Sequence, residues 1–69
     1  MTLGERIIMY RAKRDMTQVE FAKKAGLSTQ TIYLIESDLQ KPKKITVAKI
    51  NLLLNEDEGK TDEVQHITD

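Results

Sequence analysis

The sequence predicts an all-α fold of four short helices around one core, and three observations predict it. Thr2, Thr17 and Ser28 each precede a segment with helical apolar spacing, and the first two have a Glu three residues later. That spacing is the capping box, in which hydroxyl and carboxylate satisfy each other's backbone N–H groups. With 69 residues and no cysteine, the core must come from compact helix packing. Gly26 sits between two helical patterns, where a left-handed residue ends a helix at no steric cost.

The elements follow in order. The first helix runs from Thr2, as N-cap, to Arg14, with Leu3, Ile7, Tyr10 and Arg11 on one face. Asp15 and Met16 connect it to the second, which Thr17 opens and Gly26 closes. Phe21, Ala22 and Ala25 form its inner face, and Leu27 plugs the turn into the core. Ser28 caps a third helix with Ile32 and Ile35 inside and Thr29, Gln30, Tyr33 and Leu34 outside. Residues 37–44, SDLQKPKK, form a polar loop, because Pro42 and the surrounding charges oppose helical continuation. Ile45 to Leu54 is a fourth helix, with Ile45, Ala48, Ile50 and Leu54 among the positions that can reach the core. The reading gives one domain over 1–54 and an acidic, disordered tail over 55–69.

Composition bounds the function. A chain of 69 residues without cysteine cannot use a disulfide or a thiolate metal site, which fits a reducing cytoplasm. No apolar run approaches the roughly 20 residues of a membrane span, and no signal-peptide core is present. His66 is the only histidine and has no nucleophile constellation, and the glycines are isolated, so no enzyme, metal or cofactor is expected. The formal charge is zero, but its distribution is uneven. Through Leu54 the chain carries Arg6, Arg11, Lys13, Arg14, Lys23, Lys24, Lys41, Lys43, Lys44 and Lys49 against Glu5, Asp15, Glu20, Glu36 and Asp38. Beyond it, Lys60 stands against Glu56, Asp57, Glu58, Asp62, Glu63 and Asp69. A basic body with an acidic end points toward a nucleic-acid partner.

Residues Thr17 to Glu36, TQVEFAKKAGLSTQTIYLIE, carry the most specific signal. Two helices crossing steeply need a small residue at closest approach, supplied by Ala22, and a turn tolerant of positive φ, supplied by Gly26. The second of the pair needs apolar residues inside and polar ones outside at its N-terminal end, as Ile32, Ile35, Thr29 and Gln30 provide. In these residues, and more weakly through KPKKITVAKINLLL, the chain resembles the lambda-repressor-like helix-turn-helix family of phage repressors and Cro proteins. The resemblance implies four or five helices and binding of operator DNA, usually as a homodimer, with helix three in the major groove. It gives Gln18 a phosphate contact and a bracing role on the recognition helix. It places Ser28, Lys41, Lys43 and Lys44 at phosphates and Thr29, Gln30 and Leu34 at base edges, with Tyr33 beside them. It pairs Arg11 with Glu36 in a salt bridge joining helix one to the end of helix three.

The chemistry of these residue types agrees. Gln can pair bidentately with adenine, and Thr and Leu can pack on a thymine methyl, so reading tilts toward A·T pairs. The expected function is a transcriptional regulator of phage or mobile-element origin that acts by occupying its operator, with no small-molecule ligand. Asn55 and the acids after it depart from the family pattern and put a fifth helix in doubt. Ile8, Met9 and Leu52 are apolar where the family is commonly polar. Leu52 and Leu53 are a candidate self-association seam, and Ile8 and Met9 a candidate protein-binding surface. Two alternatives follow: an antirepressor or adaptor gripping a protein through Ile8, Met9 and Leu52, or a DNA-binding antitoxin whose tail folds on its toxin.

Overall fold

The computed structural model describes the backbone of residues 1–68 and the side chains of residues 1–56. The described residues form four helices and no strand: α1 (Leu3–Arg14), α2 (Gln18–Ala25), α3 (Thr29–Glu36) and α4 (Lys44–Thr68). Both capping boxes are formed. Glu5 N donates to Thr2 Oγ1 at 3.1 Å and Thr2 N to Glu5 Oε1 at 2.8 Å; the Thr17–Glu20 box has the same two distances. These hydrogen bonds hold the carboxyl pKa of Glu5 and of Glu20 below its ordinary value.

Three helices end with one device, a residue in the left-handed region. Gly26 has φ 72°, and its neighbour Leu27 returns its N–H to Ala22 O at 2.9 Å. Asp15 (φ 52°) and Asp38 (φ 58°) take the same conformation without being glycine. Met16 N then reaches Arg11 O, and Leu39 N reaches Leu34 O, both at 2.9 Å. Asp tolerates this region better than most residues, because its short polar side chain can bond locally. Met16 and Leu27, the residues after two of these turns, pack against the core, whereas Leu39 is exposed.

The core comprises Ile7, Tyr10, Phe21, Ala22, Ala25, Ile32, Ile35, Ile50, Leu53 and Leu54. Tyr10 meets Phe21 edge to face, with centroids 5.5 Å apart. The approach of α1 to α3 is set by Gly4. A Cβ there would lie 2.5 Å from Ile35 O and 2.9 Å from Glu36 Cα, both backbone atoms that cannot move aside cheaply.

The fourth helix corrects the sequence reading in three ways. Ile45 and Ala48 are exposed, and the buried stripe is Ile50, Leu53 and Leu54, with Val47 half-buried. Leu53 is 5% exposed, so it belongs to the core and not to a self-association seam. The helix starts one residue early, at Lys44, and its backbone passes Asn55 without a break, leaving no separate fifth helix among the described residues. Seven of the eleven residues from Lys44 to Leu54 are apolar, on every side of the helix, so periodicity alone selects no face. Beyond Asn55 the sequence holds no proline, the residue that would force an end. The side chains of the acidic tail past Glu56 lie outside the described residues.

Two predictions follow from this packing. Gly4→Ala gains intrinsic helix propensity of about 1 kcal/mol yet forces two backbones apart. The net effect expected in urea titration is a loss of about 1–3 kcal/mol, as for overpacked cores. The capping glutamates also make stability depend on pH. Their folded pKa lies below the unfolded one, so their contribution is complete above about pH 4.5. It is lost as pH falls through the lower folded value. The urea midpoint should therefore drop between pH 5 and pH 3, and less so in a Glu5→Gln, Glu20→Gln double variant.

Candidate nucleic-acid interface

The candidate interface comprises the N-terminal turns of α2 and α3. Ser28 caps α3 by accepting from Thr31 N at 3.1 Å, and its hydroxyl lies 2.7 Å from Thr31 Oγ1. Thr29 and Gln30 follow on the first turn of α3, ahead of Ile32, whose N–H makes the bond back to Ser28 O. A helix start of this kind offers backbone N–H groups and the positive end of the macrodipole to an anion. Thr29, Gln30 and Tyr33 are exposed, with Tyr33 half uncovered, and their spacing of one and four puts them on one side of α3. Leu34, assigned to the same outer face by the sequence, is half-buried at its edge.

The other end of α3 is tied down by Glu36. Arg11 grips its carboxylate with two parallel bonds, Nε to Oε2 and Nη2 to Oε1, both 2.8 Å. Arg11 also donates Nη1 to Met16 O at 3.0 Å, fastening the α1–α2 connection to the same point. Gln18 donates Nε2 to Glu36 Oε1 at 3.0 Å. A carboxylate only accepts, so the Gln18 amide must turn its NH₂ to Glu36. That NH₂ carries a second N–H, which is the donor a phosphate oxygen requires. The Glu36 side chain is 7% exposed and that of Arg11 20%. The hydrogen bond from Arg11 to Glu36 outweighs partial burial and raises the Arg11 pKa, so the guanidinium stays charged wherever the protein is folded.

The expected residues are thus grouped in part. Arg11, Glu36 and Gln18 meet in one network, joining α1, α2 and α3. Lys41 and Lys43 are exposed in the α3–α4 loop, and Lys44 is exposed as the first residue of α4. Ile8, Met9 and Leu52 are exposed as expected, yet Met9 and Leu52 line separate clefts on the two sides of α4. Two structural residues were not singled out from the sequence. Gly4 is one; a glycine inside a helix needs a packing reason, and that was the available signal. Asn51 is the other: its Oδ1 accepts from Arg6 Nη1 at 3.0 Å and ties α4 to α1.

A family model described as Helix-turn-helix matches residues 7–60. The chain belongs to the lambda-repressor-like helix-turn-helix family of the Cro/C1 type. The protein is accordingly a DNA-binding regulator of that family, and its partner is double-stranded DNA. No curated protein and no solved structure matched the chain in comparison. Among the described residues, no helix is long and apolar enough to cross a membrane.

The clamp on Glu36 generates a prediction. Removing one partner strands a partly buried charge, at a cost of about 2–4 kcal/mol, short of the full penalty for a buried pair. Glu36→Ala and Arg11→Ala should each destabilise the helix-turn-helix protein by about 2–4 kcal/mol in urea titration. An Arg11→Met, Glu36→Leu double variant should lose less than either, because no charge is left unpaired.

Proposed function

We propose that this regulator binds its operator as a homodimer, with the first turn of α3 in the major groove, and acts by occupancy in the cytoplasm. The observation that carries the reading is the exposed trio Thr29, Gln30 and Tyr33, projecting from a helix whose far end is clamped by Glu36. Gln30 reads an adenine, and Thr29 and Leu34 pack on thymine methyls. Gln18, Ser28, Lys41, Lys43 and Lys44 hold phosphates and set the register of the domain on the duplex. Two copies cover half-sites about one helical turn apart. The division of Met9 and Leu52 between two clefts supports this reading over an adaptor that grips a protein through one continuous apolar face.

Selection of bound sequences from random duplexes at fixed salt tests it, followed by anisotropy titration of the winner. Gln30→Ala should lose about 1–3 kcal/mol on the selected site and little on unrelated DNA. Lys43→Ala should weaken both alike and reduce the salt slope by about 1. A sequence-blind selection, or equal losses on both DNAs for Gln30→Ala, would refute base reading by α3.

A further inference from the structure

The outer side of α4 carries an uncovered apolar face. Leu52 is 75% exposed, more than any described large apolar residue except Met1, and Ala48, one turn before it, is also exposed. Leu52 borders a cleft of about 250 Å³ between α4 and the end of α2. The buried Ala25 and Leu53 line the same cleft, with Lys24, Lys49 and Glu56 around them, and no residue of α3 takes part. Among the described residues, the side chains of Lys49 and Glu56 have no ion-pair or hydrogen-bond partner.

The charges on this face have a direction. Lys49 lies three residues before Leu52 and Glu56 four after it, so all three share one side of the helix. At about 1.5 Å per residue, Lys49 is displaced about 4.5 Å toward the N-terminus and Glu56 about 6 Å toward the C-terminus. A second α4, turned end for end about Leu52, brings its own Glu56 level with Lys49 to within about 1.5 Å along the axis. A parallel pair would instead set lysine on lysine and glutamate on glutamate. The pattern is therefore complementary to a reversed copy of itself, which is what a two-fold contact requires. We propose that two copies of the chain meet on this face, with α4 antiparallel to α4. Leu52 packs on the partner's Leu52 at the two-fold axis, and Lys49 pairs with the partner's Glu56 on both sides of it. Ala48 leaves room for the second helix to come close. The contact rests on the homodimer reading above and supplies the surface for it, and α3 stays outside it, so Thr29 and Gln30 remain open to DNA.

Sedimentation equilibrium of the full chain without DNA, from about 1 μM to about 1 mM, tests the contact. The natural chain should show a monomer–dimer equilibrium. Leu52→Glu should raise the dissociation constant roughly tenfold or more, with an unchanged urea midpoint, because Leu52 lies outside the core. Lys49→Glu and Glu56→Lys should each weaken the dimer by setting like charges face to face, and combining them in one chain should restore it. A chain that stays monomeric, a Leu52→Glu variant that dimerises as before, or a combination no tighter than its single variants would overturn the contact. Base reading has its own test in sequence selection. Selection of a two-half-site operator by a chain that fails here would leave the regulator reading standing and overturn only this face.

Discussion

The carboxylate of Glu36 is the constraint on which the rest of the structure depends. It sits at the C-terminal end of α3 and accepts two bonds from Arg11 and one from Gln18. Arg11 is on α1 and also holds the carbonyl of Met16 in the α1–α2 connection. One largely covered carboxylate therefore links three helices. The paired guanidinium satisfies what desolvation would otherwise penalise, and the fork geometry removes rotational freedom that a lysine would keep. Gln18 then couples this anchor to the N-terminus of α2.

The tip of α3 gains its precision from that anchor. On the proposed function, base edges are discriminated by hydrogen bonds that tolerate little displacement, which requires side chains projecting from a rigid support. Gly4 contributes by letting α1 approach the backbone of Ile35 and Glu36 within a distance closed to any other residue. The left-handed residues at Asp15, Gly26 and Asp38 turn the chain sharply after α1, α2 and α3, so short helices meet at one core. Packing, capping and charge agree at each of these points, which is what a small domain with a limited core requires.

Much of this was legible in the residues. The boxes at Thr2 and Thr17, the cap at Ser28 and the turn at Gly26 are local chemistry, and local chemistry determines them in the structure. The pairing of Arg11 with Glu36 and the brace from Gln18 came from resemblance, since no spacing rule joins residues 25 positions apart. What stayed hidden was tertiary. The register of α4 was misread because apolar residues surround it, and only packing against α1 and α2 chose Ile50, Leu53 and Leu54 over Ile45 and Ala48. Asp15 and Asp38 gave no sign of positive φ, since aspartate is common in ordinary loops too.

The account rests on Gln30 meeting a base edge from a fixed position, and one exchange of side chains tests that most directly. Arginine presents a fork suited to guanine O6 and N7, where glutamine suits adenine. Sequence selection with Gln30→Arg, run beside the natural chain at the same salt, should move the preference at one base pair per half-site from A·T to G·C and leave the other positions as they were. An unchanged preference at every position would contradict the account.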